Sequence, residues 1–262
     1  MKHYTASLAA RLIPAALCAA PLLASAGQPV EEPVITAPAA SPWEFRVTPY
    51  YGWLVALDGT TGPDGFATEL DMGFDDIVQD LKMYASLQVE ARYERWGFVA
   101  DGFYAALGSS GHTPRLHDNV DVDLKQLLAE FEVLYRVAES PTYFVDVYAG
   151  VRYNSLKLDL DFSGRKIDSF KSANKDWADP IVGLRSQWNI NDSWYLAGKG
   201  DIGGFGVNSD FTWNLQATVG YNITPCISVE AGYRYFDTNY DQDGFTYDMA
   251  EKGALIGFNF MF

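Results

Sequence analysis

The side chains best suited to chemistry gather in a few places. Past residue 3 the only histidines are His112 and His117, with Ser109, Ser110 and Asp118 close by. These are the residue types of nucleophile–histidine–acid catalysis, which holds its groups rigidly within hydrogen-bond reach. Here they crowd one Gly-containing connection, 108–120, and a polar surface loop explains them better. Two further stretches concentrate carboxylates. Residues 58–81 hold Asp58, Asp64, Glu69, Asp71, Asp75, Asp76 and Asp80, and residues 237–251 hold Asp237, Asp241, Asp243, Asp248 and Glu251, with no Lys or Arg in either. Oxygen ligands of this kind suit Ca²⁺ or Mg²⁺. Asn239, Asp241 and Asp243 followed by Gly244 match the start of an EF-hand loop. The twelfth position, however, is Ala250, and Glu251 comes one place too late. A solvated acidic surface is therefore favoured over a weak divalent-cation site, and no other cofactor is expected.

Composition narrows the class of molecule. The chain has 262 residues, 48% apolar or aromatic and 15% aromatic, with 19 basic residues against 34 acidic ones. Disordered chains lack that apolar content. Nucleic-acid binders need a basic face, so nucleic acid is not a partner. Beyond residue 26 no apolar stretch reaches the length of a membrane-spanning helix.

The beginning reads as an address. Lys2 and Arg11 precede an apolar segment, 12–23, and Ala24-Ser25-Ala26 supplies a small-x-small cleavage site. Residues 1–26 are thus expected to be a signal peptide. Leu17 before Cys18 lacks the small side chain that a lipoprotein signal would carry. Removing the segment leaves 17 basic residues against 34 acidic ones, and Cys226 as the single cysteine, expected as a free thiol. Residues 27–42, with Pro29, Pro33, Pro38 and Pro42, read as an extended periplasmic tether.

From residue 43 onward, apolar residues recur every second position, the mark of strands with two different faces. In 211–223 the odd positions are Phe, Trp, Leu, Ala, Val, Tyr and Ile, and the even ones are polar or Gly. Similar runs occupy about 43–57, 82–95, 97–107, 121–137, 143–160, 177–190, 194–204, 227–235 and 252–262. That makes ten strands, with eight as the alternative if the Gly-interrupted runs 97–107 and 194–204 fail. Short connections alternate with longer ones rich in Gly, Asp, Asn and Ser, as in barrels with tight periplasmic turns and long outer loops. Between the acidic ones, Phe74, Ile77, Val78 and Leu81 follow helical spacing behind Asp75 and Asp76, suggesting a short helix as lid or plug.

Aromatic placement separates a lipid-facing barrel from a soluble sandwich. Near the short turns the apolar parity carries Trp43, Phe45, Trp96, Phe98, Tyr135, Tyr143, Trp188, Trp194 and Tyr221. Near the long connections it carries Trp53, Tyr104, Tyr153, Phe211, Trp213, Tyr233 and Tyr235. Small or aliphatic residues lie between, so two aromatic belts bracket an oily band. The opposite parity collects Glu44, Arg46, Glu90, Arg92, Asp101, Glu130, Glu132, Arg136, Asp146, Arg152, Asp179, Arg185, Lys199, Asp201, Glu230 and Arg234. In a barrel these line the lumen, where opposite charges can pair.

The last residues add a specific motif. Ile256, Phe258, Phe260 and Phe262 share one parity, and Gly257, Phe260 and Phe262 resemble the C-terminal signal that outer-membrane proteins present to the barrel assembly machinery. Leu255 departs from it, since a polar residue is commoner there. Ala231-Gly232-Tyr233-Arg234-Tyr235 and 201–206 also resemble segments of the small bacterial outer-membrane β-barrel proteins of the opacity and OmpA type. The resemblance covers 43–262 and implies an all-β, transmembrane, antiparallel up-and-down barrel in the outer membrane, with lipid and lipopolysaccharide around it. It carries over no catalytic residues. The expected role is structural or surface-interacting, through acidic outer loops around a largely plugged polar lumen. A narrow channel for ions or small solutes, and an outer-membrane enzyme acting on lipid or peptide, are the alternatives. No extracellular ligand is identified.

Overall fold

A computed structural model of the chain describes residues 41–63, 67–112, 119–163 and 169–262. The signal-peptide segment, most of the Pro-rich tether, His117 and Asp118 lie outside the described residues. The strands are β1 (Trp43–Pro63), β2 (Thr68–Met72), β3 (Leu81–Tyr93), β4 (Trp96–His112), β5 (Asn119–Glu139), β6 (Tyr143–Ser163), β7 (Ser169–Asn189), β8 (Trp194–Gly203), β9 (Phe211–Thr224), β10 (Ile227–Gln242) and β11 (Phe245–Met261). One helix, α1 (Phe74–Asp80), precedes β3. Ten strands form a closed antiparallel barrel: each long strand pairs with its sequence neighbour, and β11 pairs with β1. The seam is finished by Phe45 and Phe262, whose backbone groups exchange two hydrogen bonds of 3.1 and 2.9 Å. Closure matters because lipid offers no partner to an open strand edge.

The period-2 pattern explains which way the wall faces. On β9 Thr212, Asn214, Thr218 and Gly220 are buried, whereas Phe211, Leu215, Ala217, Val219 and Tyr221 are exposed. On β10 Arg234, Phe236, Thr238 and Tyr240 are buried inside, and Tyr233 points out. The exposed aromatics pair across neighbouring strands: Trp43 with Tyr93, Trp96 with Tyr135 and Trp194 with Tyr221 at the short-turn end, with ring centroids 4.9–5.1 Å apart. Trp213 and Tyr235 stack at 4.7 Å at the other end. Such cross-strand aromatic pairs stabilise a sheet surface, and here they sit at both rims of the aliphatic band.

Three features depart from the sequence reading. Trp53, expected on the lipid side, is buried at 4% exposure inside the barrel. The cause is a β-bulge. Val47 lies opposite Phe260 but Tyr50 lies opposite Phe258, so β1 carries one extra residue at this point. An added residue flips every later side chain to the other face. Thr48 faces inward below the bulge, and Trp53, Val55 and Leu57 face inward above it.

Second, the connection assigned to 237–251 is mostly strand. The alternation continues upward, and β10 and β11 pair from Ile227↔Phe260 to Gln242↔Phe245. Only Asp243 and Gly244 form the turn, both with positive φ (52° and 72°), the geometry of a two-residue hairpin loop. Asn239 and Asp241 are therefore ladder residues opposite Asp248 and Thr246, not ligands on an EF-hand loop. Asp243 accepts a 3.0 Å hydrogen bond from Lys175. Among the described residues no cluster of His, Cys, Asp and Glu has metal-binding geometry.

Third, the acidic connection 58–81 is structured. Strand β2 continues the wall beside the upper part of β1, with Leu57↔Met72 to Thr61↔Thr68 in register. Helix α1 follows the spacing of Phe74, Ile77 and Val78. The Asp76 carboxylate caps its start by accepting from the Gly73 N–H at 3.0 Å. Ile77 is its buried residue.

Candidate functional site

Among the described residues, the barrel interior is where many ionisable groups are brought together out of water. It is layered. In the layer toward the short turns, three guanidinium groups converge on Asp146 of β6: Arg92 at 2.6 Å, Arg136 at 2.9 Å and Arg185 at 3.0 Å. Arg185 of β7 also grips Glu90 of β3 with both terminal nitrogens, at 2.8 and 2.7 Å. Strands β4, β5 and β6 separate β3 from β7 along the wall, so this bidentate pair crosses the lumen. Arg46 stands directly opposite Glu90 in the β1–β3 ladder. The face of the Phe144 ring lies 4.1 Å beneath the Arg136 guanidinium.

The middle layer is built around Glu130 of β5. Its carboxylate receives Arg152 at 2.8 Å, Lys199 at 3.1 Å and Arg234 at 3.2 Å. Arg152, wholly buried, also reaches Asp201 at 2.8 Å. The Tyr148 hydroxyl and the Asn214 amide donate to the other Asp201 oxygen, at 2.9 and 3.0 Å. Lys199 closes on Glu132 at 2.5 Å, and Arg234 donates through Nε to Asn214 at 2.7 Å. Glu130 on β5 and Arg234 on β10 again join non-adjacent walls. Asp101 accepts from Gln88 at 2.7 Å, and Glu230 accepts from Thr218 at 3.3 Å. Glu130 and Asp201 thus each meet three donors, as a buried charge requires if it is to stay charged, whereas Glu132, Asp101 and Glu230 each meet one.

Asp179 has a different task. Its two oxygens accept from the Ser209 backbone N–H and hydroxyl, at 2.8 and 2.5 Å, and it pins the β8–β9 connection rather than a cation. Glu44, at the bottom of β1, is exposed. Of the C-terminal residues, Gly257 faces inward opposite Tyr51, Phe258 is exposed, and Phe262 is the most exposed of them. Cys226, which is in no disulfide among the described residues, lies in the two-residue β9–β10 turn. His112 ends β4 opposite Asn119.

Above the charged layers lies a part of the interior that sequence reasoning missed. Trp53, Phe103, Leu128, Leu156, Trp177, Phe236, Tyr240, Tyr247 and Met249 form one buried cluster, with Ile77 of α1 inserted among them. Trp177 stacks on Tyr240 at 4.4 Å and lies 5.5 Å from Tyr247. Two guanidinium groups form the floor: Arg234 sits 4.8 Å from the Trp53 ring and Arg152 4.8 Å from the Phe236 ring. The signal available in the sequence was the even parity of β10, which runs on from Arg234 through Phe236 and Thr238 to Tyr240.

The comparisons with known proteins agree with this architecture. The chain matches the model of the outer membrane protein beta-barrel domain family over residues 16–262. Among solved structures it is similar to the outer membrane protease OmpT from Escherichia coli. Identity is 11%, coverage is 85% of this chain and 98% of that one, and the TM-score is 0.51, a likeness of fold alone. Ail, the attachment invasion locus protein of Yersinia pestis, aligns at 14% identity over 84% of this chain and 97% of its own, with a TM-score of 0.37. Neisserial surface protein A aligns at 15% identity over 85% and 98%, with a TM-score of 0.31. No curated protein sequence matches the chain. A closed ten-stranded wall, aromatic belts outside, charges inside and a family match across almost the whole length lead to one assignment: the chain belongs to the outer membrane protein beta-barrel domain family and resides in the bacterial outer membrane.

Proposed function

We propose that this barrel is a membrane anchor whose lumen does not conduct, and that its role is structural or one of surface interaction through its acidic outer connections. The observation that carries the reading is the pair of cross-lumen ties, Glu90 to Arg185 and Glu130 to Arg234. Ten strands enclose an interior narrow enough for side chains to span, unlike the aqueous channels of barrels with sixteen or more strands. An ion passing through would have to break several desolvated pairs at once. Toward the outside, Asp58 pairs with Lys252 at 3.2 Å and Lys82 pairs with Asp123. Lys252 lies opposite Tyr235 of the upper aromatic belt, at the level where lipopolysaccharide headgroups and soluble partners would meet the protein. Assembly through the barrel machinery, by way of Gly257, Phe260 and Phe262, belongs to the same proposal.

Planar-bilayer recording on the refolded chain tests it. Silence is expected from the native sequence, and salt-dependent discrete steps are expected once Glu130→Gln and Arg185→Gln are combined. Steady conductance from the unaltered protein would favour the narrow-channel reading instead. OmpT contributes only its fold, and its protease activity is not carried over to this chain.

A further inference from the structure

The barrel wall is interrupted beside β1. Pairing between β1 and β3 ends at Thr48↔Gln88, and β1 regains a partner on that side only at Leu57↔Met72 of β2. Residues 49–56 of β1 therefore have a ladder on the β11 side alone. The Trp53 N–H is held by the Tyr84 hydroxyl at 3.1 Å rather than by a β3 carbonyl. Leu54, exposed on the outside, is opposite Ala254, which is opposite Tyr233 of the upper belt. The interruption thus sits at outer-leaflet depth, where an uncovered strand edge is costly. Its cover is α1, which touches β1 and β4, inserts Ile77 into the apolar cluster and leaves Phe74 and Val78 exposed.

Behind this cover the apolar cluster holds polar atoms without partners. Among the described residues, Trp53 Nε1, Trp177 Nε1 and Asn154 Nδ2 are buried donors with no acceptor, and Glu251 Oε2 is a buried oxygen with no partner. Asn154 faces Trp177 across the β6–β7 ladder. Buried polar groups in native proteins are paired nearly without exception, so unpaired ones ask what completes them. Three N–H groups in an aromatic setting, over a floor of Arg152 and Arg234, call for an acceptor-rich anionic head on an apolar body. Glu251 Oε2 can share one proton with such a head.

We infer that the β1–β3 interruption is a lateral portal, closed by Ile77 of α1, through which a single-chain fatty acid enters from the outer leaflet. Its chain displaces Ile77 and lies among the aromatic side chains, and its carboxylate accepts from the Trp and Asn donors. No bond is made or broken. The binding is independent of whether the lower, charged lumen conducts.

The test uses the refolded chain in detergent, with Trp43, Trp96, Trp188, Trp194 and Trp213 replaced by Phe so that Trp53 and Trp177 alone report. Titration with 9,10-dibromostearate should quench their fluorescence saturably. Dibromophosphatidylcholine at equal acyl concentration should leave it unchanged. Ile77→Ala removes the competing plug and should lower the half-saturating acid concentration about tenfold, since truncating a buried Ile forfeits most of its packing. Absence of saturable quenching, equal quenching by the diacyl lipid, or an unaltered Ile77→Ala titration would overturn the proposal. Should the five-Phe variant not refold, the native sequence gives the same decision by its unfolding temperature. Stearate should raise it, and should not raise it in Trp53→Phe/Trp177→Phe. No rise in the native sequence, or an equal rise in the double variant, overturns the portal.

Discussion

Arg152→Ala is expected to lower the unfolding free energy of the refolded barrel by about 3–5 kcal/mol, measured by urea titration in lipid vesicles. Arg152 is wholly buried and holds Glu130 and Asp201 at 2.8 Å each. Its removal leaves Glu130 with Lys199 and Arg234, and leaves Asp201 with only the neutral donors Tyr148 and Asn214. Most of the loss should therefore come from Asp201, a carboxylate out of water with no cation. Two companions separate charge from packing. Arg152→Met keeps an apolar stem but neither the charge nor the guanidinium over Phe236, and should lose nearly as much. Arg152→Lys keeps the charge but not the planar fork, so it should recover part of the stability by serving one carboxylate. If Met were as stable as Arg, the middle layer would be ordinary packing.

Leu184→Arg is expected to cost about 2–4 kcal/mol, because it places a guanidinium against acyl chains near the bilayer midplane. Leu184 lies on β7 between Trp188 of the lower belt and Ile202 of neighbouring β8, which pairs with Val182, and its side chain is 59% exposed. In water such exposure would make the substitution nearly harmless. The size of the effect thus reads out what surrounds the wall. The control is Ser186→Arg on the same face, two residues nearer the lower belt, where a long side chain can reach the headgroups and the cost should fall. Equal and negligible effects at both positions would show that the outer surface is wet.

How far the sequence led can be judged from individual strands. The faces of β9 were legible because Phe211 to Ile223 alternate without exception, and a strand has only two faces to offer. Helix α1 was legible from four apolar residues at helical spacing behind two aspartates. Trp53 was misplaced because the mark of the bulge was passed over: Pro49 has no N–H for the ladder and inside a strand signals a bulge or an edge, and the extra residue there turns the rest of β1 over. The upper lumen was hidden for a related reason. Residues 237–251 look like an acidic loop when charges are counted, and like two strands only when Tyr240, Tyr247 and Met249 are followed by parity. Within the charged lumen, residue types announced that pairs could form. The choice of partners depends on strand stagger, which sets Glu90 of β3 against Arg185 of β7, and stagger is a property of the closed sheet.

The interior ties give this barrel a mechanical character different from that of an open pore. Opposite walls are joined through Glu90, Asp146, Glu130 and the cations around them, so the outer connections stand on a cylinder braced from within. A double-mutant cycle on Glu90→Gln and Arg185→Gln, followed by urea unfolding in vesicles, measures that brace most directly. A coupling free energy of about 2 kcal/mol is expected for a desolvated bidentate pair. Strictly additive single effects would contradict it, leaving the two side chains as independent residents of opposite walls.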